Sequence, residues 1–569
     1  MSKLRGTRCL SISVRPIAIA LAVAIGFLVA PAVVHAQERT DAVVLVNSAG
    51  GSYAQFQERV QPYLDNFGVP YSVLDVATSP VGVDVGDYAV ILIGHPGLDP
   101  DELYLDATEE GYLSDAVNGG TGLVSFDNDL SADGIAARYQ FVTDIFGFTY
   151  GAATSGSGVT IANPASHYIV ERHTDGESIG TGTMSLAGIA GGGTALASTA
   201  GQPFLAVASH GAGRAVQWGS IDWMSHAVKG PLFGFDDLVW RSIVWAARKP
   251  FVMQGMPPFV TLRVDDDFGD LTWLQIANTF GFKPWVGVFI DEYTTAEAEI
   301  LSDLVYAGQA TASIHAFSTG SFFYFDHAGS NWDDTTLATH FTQGTQWHTT
   351  HDVPISDFVL GHYYEVGSNA FQGLSDWGVE FIGIPMEPGQ SYGGASWLEQ
   401  APYRLYESGS ANDQGGGAHP FFYADYMTIP GHPEFDGQFF NCFTEIRDVT
   451  GYEWYPSNDV GLSVERGTEW LTRPLDSMAL STLFTHGYEI YPITQANWTA
   501  IMQGIADNLT SYDPLYVTLD DACRYVRAVY DSDITASEHD TVLDRVTVTL
   551  GGQTDTETVS YTHLTLPTN

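Results

Sequence analysis

The residues with the clearest chemical potential close one apolar run, Val260-Thr-Leu-Arg-Val-Asp-Asp-Asp-Phe268, which ends on three consecutive carboxylates, Asp265, Asp266 and Asp267. Carboxylates are costly to bury, so a strand ending in a cluster of them aims it at a cleft where a metal ion or a proton is handled. Two further apolar runs end in histidine, Ser313-Ile-His315 and Leu483-Phe-Thr-His486. Histidine binds metals and exchanges protons near neutrality. Such a set suits a hydrolysis in which a metal polarises a carbonyl and acidifies a water, a base takes that water's proton, and an acid protonates the leaving group.

Other candidate ligands lie nearby in the chain: His327 in Phe325-Asp-His, His348 and His351 in Trp347-His-Thr-Thr-His, and His362 in Leu360-Gly-His-Tyr-Tyr-Glu-Val-Gly367. Any one of them alone reads as an ordinary surface or packed histidine. Aromatic residues crowd the same region, among them Trp285, Phe322, Tyr363, Tyr364, Trp377 and Trp397. Sugar rings stack on aromatic faces, so a carbohydrate groove fits this composition, although core packing uses most aromatics in any protein.

These residues must be positioned by a repeating strand–helix pattern. Strand candidates over residues 258–530 are Phe259–Val264, Trp285–Ile290, Ala312–His315, Phe358–Leu360, Glu380–Ile384, Met478–Phe484 and Leu515–Leu519, with helices at Thr295–Tyr306 and Asn497–Leu509. The pattern predicts an incomplete or distorted (β/α) barrel, whose acids and histidines at strand ends converge on one face. Residues 40–250 show short buried-type strands, Asp41–Ser48, Tyr71–Asp75, Tyr88–Ile93 and Thr121–Phe126, alternating with helical stretches. That alternation predicts a parallel sheet with helices on both faces. Between about 155 and 215 the Gly-, Ser- and Thr-rich sequence, with short runs such as His167–Arg172, reads as a β insertion or a β edge of the same sheet. Lys249-Pro250 and Gly255-Met-Pro-Pro258 form a stiff linker. Residues 531–558 read as the opening strands of a C-terminal β domain, and 559–569 as a translated sequencing adapter rather than natural protein.

The chain has 569 residues, 45% of them hydrophobic and 13% aromatic, which describes a globular protein of two or three domains. Residues 1–36 read as a secretory signal: Lys3, Arg5, Arg8 and Arg15 are followed by the apolar run Ile17–Ala30 and by Val34-His-Ala36, small enough at its end for cleavage before Gln37. No later segment is apolar enough for a membrane span. The net charge of −45 becomes more negative once the basic leader is removed, and Lys229, Lys249 and Lys283 are then the only lysines. Such a surface repels nucleic acid and anionic membranes. Cys442 and Cys523 would face an oxidising compartment, where they could bridge or remain thiols. A cysteine-ligated zinc site is excluded by count.

Residues 258–530 resemble the polysaccharide deacetylase (NodB-type carbohydrate esterase) family. Thr261-Leu-Arg-Val-Asp-Asp266 resembles its Thr-Phe-Asp-Asp motif, which implies Asp265 as general base and Asp266 as metal ligand, with Asp267 able to exchange roles with its neighbour. Thr311–Phe317 resembles the second motif, His-(Ser/Thr)-x-x-His: His315 matches its first histidine, but Thr319 stands at the second. A substitute third ligand is therefore needed, and His362 is favoured over His327. His362 opens a stretch similar to the third motif, Arg-x-Pro-Tyr-Gly, with histidine in place of arginine, and Tyr363, Tyr364 and Trp397 are the implied sugar-binding residues. Ser481–Gly487 resembles the motif whose histidine acts as acid, which implies that role for His486. The resemblance implies a secreted enzyme that removes acetyl groups from a polysaccharide. Zinc suits an Asp/His set with open positions best, and cobalt, manganese or nickel could serve.

Residues 40–250 resemble class I glutamine-amidotransferase-like (trehalose-utilisation-type) domains of flavodoxin-like fold, closing with Gly213–Gly219 and Leu238–Lys249. The nucleophile turn reads Ser125-Phe-Asp-Asn-Asp129 without cysteine, which implies a non-catalytic domain. Two other readings stay open. A glycoside hydrolase or lyase could pair Asp265 with Glu365, Glu387 or Glu489 without metal. A non-catalytic carbohydrate-binding protein would account for the altered second motif.

Overall fold

The computed structural model describes residues 9–11, 37–225, 235–326, 331–383, 424–427, 429, 431–442 and 454–553. His327, Trp397 and Glu387 lie outside the described residues, as does the leader apart from Cys9–Ser11.

The N-terminal half is built on one nine-stranded sheet. Its strands are β1 (Ala42–Val46), β2 (Tyr71–Asp75), β3 (Val90–Ile93), β4 (Gly122–Ser125), β5 (Val159–Ile161), β6 (Ser178–Ile179), β7 (Thr194–Thr199), β8 (Gln202–His210) and β9 (Gly213–Trp218). They run in the order β6-β5-β7-β8-β9-β4-β3-β1-β2. The five from β9 to β2 are parallel, and those from β8 to β6 are added antiparallel. Every residue of β1 is buried, as expected of a central parallel strand covered on both faces. Alternate residues feed separate cores: Val44, Val46, Leu92 and Val124 lie in one, Val43, Leu45, Ile91 and Leu123 in the other. Helix α1 (Ala107–Gly119) begins at a capping box, Asp106 with Glu109, and ends at Gly120 in the left-handed region. Helix α2 (Asp236–Ala246) closes this half. The Gly-rich stretch is thus an antiparallel edge of the same sheet. His167–Arg172 is a correction within it. Tyr168–Val170 forms one 3-10 turn, stabilised because the Ile169 amide donates to the His167 ring.

In the C-terminal half the all-parallel order is β12-β11-β10-β17, formed by β10 (Phe259–Asp267), β11 (Trp285–Phe289), β12 (Thr311–Ala316) and β17 (Ser481–His486). The strands β13 (Phe358–Val359), β14 (Phe381–Ile382), β15 (Asp425–Tyr426) and β16 (Phe440–Asn441) make a second short sheet, and β18 (Leu515–Tyr516) pairs with the start of β10. Helices α3 (Thr272–Thr279), α4 (Thr295–Tyr306), α5 (Asp334–His351), α6 (Val460–Asp476), α7 (Gln495–Asn508) and α8 (Leu519–Tyr530) accompany the strands. The expected barrel does not close among the described residues. Strands β13 to β16 have two residues each, too few for a continuous ladder, and no ladder joins β12 to β13 or β16 to β17. One backbone bond, Ser356 N to Ala312 O at 2.9 Å, spans the first of those gaps.

The two halves meet where Trp240 Nε1 donates to the Asp476 carbonyl at 2.7 Å and Arg172 pairs with the Asp476 carboxylate. The strands β19 (Ser532–Asp540) and β20 (Arg545–Gly552) form a hairpin, and β19 pairs with Gln37–Arg39. Cys442 and Cys523 are buried thiols in one apolar cluster. Among the described residues no helix is long and apolar enough to cross a membrane.

Candidate metal and acid–base site

Strand β10 determines the geometry. Successive side chains of a strand alternate between faces, so Arg263 and Asp265 share one face while Val264 packs into the core on the other. The alternation then breaks. Register with β11 slips between Val264 and Asp267, a β-bulge, and Asp266 adopts φ +54°. That left-handed conformation is uncommon for a residue other than glycine. It brings Asp266 to the groups that surround Asp265.

Asp266 Oδ1 lies 3.2 Å from His315 Nε2 and 3.0 Å from His362 Nδ1. One donor atom from each of the three residues falls within 4.8 Å of the others, and all three residues are buried. The His315 ring is fixed by its Nδ1–H, which donates to the Leu360 carbonyl at 2.8 Å. A carbonyl only accepts, so Nε2 is bare and open to a cation in the neutral ring, and donates to Asp266 in the imidazolium. His362 sits on the turn His362–Tyr364, where Tyr363 and Tyr364 are both left-handed, at φ 55° and 61°. Phe322 stacks on its ring at 5.6 Å, and Phe289 meets it edge-on at 5.2 Å. Its Nε2 is buried with no hydrogen-bond partner among the described residues.

Burial opposes ionisation of Asp266, yet the hydrogen bonds and charges of His315 and His362 hold it well below the usual carboxylate range. Burial disfavours a charged His315, but Asp266 and Asp265 outweigh it and raise its pKa. For His362 burial wins and the pKa falls. One carboxylate oxygen and two imidazole nitrogens, converging among buried side chains, fit a zinc-type cation, which takes water or substrate at its remaining positions.

Asp265 is held differently. Arg263 Nε and Nη2 donate to its two oxygens, both at 3.0 Å. In the parallel pairing Asp265 stands directly opposite His486. Burial lowers the pKa of His486, while the charges of Asp265 and Asp266 oppose that shift. Tyr488 stacks on the His486 ring at 4.8 Å and is 44% exposed, which places an aromatic face at the edge of the site.

The structure places three of the other candidates away from this group. Asp267 is not placed to exchange with Asp266. It is fully buried behind the strand, where it accepts from Trp273 Nε1 and the Gly269 amide at 2.9 Å, from Tyr491 Oη at 3.1 Å and from the Tyr293 hydroxyl. Tyr364 is partly buried, and its hydroxyl accepts from Arg263 Nη2 at 3.3 Å. His348 is held on α5 by a 2.8 Å bond to the Val353 carbonyl, and burial pushes its pKa down to about 4. Tyr363 does lie beside the group, its ring 4.2 Å from that of His362. Glu365 and Glu489 are not among the ligand atoms gathered around Asp266. Sequence reasoning missed Arg263. The available signal was an arginine inside an apolar run, two residues before an acid, where alternation puts both on one face.

No protein-family profile and no curated protein matches the chain. Among solved structures, similarity is found to a family 4 carbohydrate esterase from Streptomyces lividans bound to acetate (11% identity, TM-score 0.23, 46% of this chain and 90% of that one). A protein from Mycobacterium smegmatis described as a polysaccharide deacetylase is also similar (12%, TM-score 0.32, 49% and 95%). A protein from Bacteroides uniformis described as ThuA-like is a third (14%, TM-score 0.27, 37% and 91%). Likenesses of this size carry no argument about function, which has to come from the site.

Proposed function

We propose that the protein is a metal-dependent carbohydrate deacetylase of divergent NodB type. Asp266, His315 and His362 would hold the divalent cation, with zinc the best match to the donors. Bound there, the cation would supply a Lewis acid and a water of lowered pKa. Asp265 takes the proton of the attacking water. His486, on the neighbouring strand, returns a proton to the departing amine or alkoxide. The observation carrying this reading is the convergence of three buried ligand atoms one residue from a carboxylate that faces a histidine. Residues 40–250, which contain no cysteine, are read as an accessory domain without a thiol nucleophile. The leader is read as directing secretion, and a mature N-terminus at Gln37 in the mass spectrum of exported protein checks that.

The test compares the parent with Asp266→Ala and His315→Ala for bound metal and for acetate released from acetylated chitin and xylan oligosaccharides. Both variants are expected to lose metal and acetate release together. Shortened glycan chains after exhaustive chelation would refute the proposal and favour a metal-free glycosidase.

A further inference from the structure

Arg263 is a guanidinium with no exposed surface in the middle of a buried strand. Burying a charge is costly unless partners compensate, and a well-packed apolar pair often serves stability better than a buried ion pair. The compensation here is specific. Both Asp265 oxygens are engaged at 3.0 Å, and the guanidinium carbon lies 3.7 Å from the centroid of the Phe484 ring. The pairing of β10 with β17 places Arg263 opposite Phe484 and Asp265 opposite His486. The two rungs are adjacent on one face, a cation–aromatic rung below and a base–acid rung above. The Phe484 and His486 rings are 4.9 Å apart, so the lower rung touches the upper on both strands.

We infer that Arg263 is a positioning residue that fixes the orientation of Asp265 and, through Phe484, its spacing from His486. A carboxylate has about four lone-pair sites, so the clamp leaves two on Asp265 to accept a proton. The inference rests on the reading of Asp265 as base.

The experiment uses the metal-loaded full chain with Arg263→Lys, Arg263→Ala, Arg263→Gln, Asp265→Asn and the double variant Arg263→Gln/Asp265→Asn. Misplacing a catalytic group by about 1 Å costs on the order of 100-fold, so Arg263→Ala is expected to lose about that much kcat, with KM within about threefold of the parent's. Bound metal should match the parent's. Millimolar guanidinium should restore at least part of the kcat of Arg263→Ala and none of that of Asp265→Asn. Arg263→Lys, a point charge without the planar fork, should stay impaired. Thermal unfolding of chelated protein reads the clamp independently of activity. The double variant should lose less than the summed losses of Arg263→Gln and Asp265→Asn. Parental kcat in Arg263→Ala, loss of metal in parallel with activity, or additive thermal losses would each overturn the inference. A parent that releases no acetate would bring down the deacetylase reading and the role of Asp265 with it, while the thermal cycle still decides whether the clamp exists.

Discussion

Adjacent aspartates on β10 should respond in opposite ways to the same substitution. Asp267→Ala removes an acceptor that serves four donors: the buried Trp273 indole, Gly269 amide and Tyr293 hydroxyl, and the partly buried Tyr491 hydroxyl. A hydrogen bond to a charged group contributes about 1.5–3 kcal/mol, and a buried donor left without a partner costs about 1–3 kcal/mol. Burial offsets part of this by raising the pKa of Asp267. Rearranged tyrosine hydroxyls and an admitted water would recover more, so a net loss of roughly 4 kcal/mol is expected, at the severe end for a single substitution. At roughly 2–4 °C per kcal/mol for a unit of 150–250 residues, that lowers the unfolding midpoint by about 8–16 °C. Asp266→Ala behaves differently. Its ion pairs in the metal-free chain are with two histidines that can shed their charge once the carboxylate is gone, so the midpoint in chelator should fall less than that of Asp267→Ala. The stabilisation by added zinc, about 2.7 kcal/mol at a hundredfold excess over Kd, should vanish. Calorimetry of parent and both variants, with zinc and with chelator, measures all of this. An Asp267→Ala protein with the parental midpoint in chelator, or an Asp266→Ala protein that keeps the zinc-dependent rise, would refute the division of labour between the two residues.

Two further expectations concern other parts of the chain. Burial raises Asp520 to about 7 despite bonds from the Ser356 hydroxyl and the Asp357 amide. The folded state therefore binds more protons than the unfolded state between about pH 4 and 7, and stability falls as pH rises through that window. Asp520→Asn should flatten that part of a denaturation-midpoint profile, and an unchanged slope would contradict the assignment. Tyr488, half-exposed beside His486, offers a stacking face for a sugar ring. Tyr488→Ala should raise KM about tenfold on acetylated oligosaccharides, in line with a contact of about 1–1.5 kcal/mol, while kcat/KM on a small aryl acetate stays within about twofold. Equal losses on both substrates would place Tyr488 in the support of His486 instead.

The sequence already located what depends on strand periodicity. The ends of β10, β12 and β17 fall within a few residues of the apolar runs that announced them, and Thr295–Tyr306 is helical over the expected range. Residues distant in the chain, Asp266, His315 and His362, come together, His362 being the substitute favoured where the second motif lacks its histidine. What depends on exceptions to periodicity was not legible. No residue type announces that Asp266 is left-handed, so apart from the motif resemblance nothing in the run of three acids says which one meets the histidines. Long-range partners were equally hidden: the donors to Asp267 come from α3, the loop after β11 and the segment after β17. Short strands such as β13 and β14 carry too little pattern for their sheet order to be derived.

The bulge and the anchor behind it are best understood together. A regular strand delivers every second residue to one face, so β10 alone could offer Asp265 or Asp266 to a site, but not both. A left-handed Asp266 removes that restriction, at a conformational cost of about 1–3 kcal/mol. The extra residue then shifts everything that follows, and without restraint the strand end could slip back into register. Asp267 opposes the slip, because its four hydrogen bonds are geometrically specific and are met only when the bulge is in place. The strain at Asp266 and the saturation of Asp267 are therefore parts of one device. It also accounts for the third acid of the run, which sits in a buried, polar environment without contributing to the group of potential ligands. The anchor should accordingly be required for the site and not only for stability: in Asp267→Asn, which keeps an acceptor but no charge, zinc affinity should fall even where the fold survives. Undiminished zinc affinity in a folded Asp267→Asn protein would show that the bulge stands without its anchor.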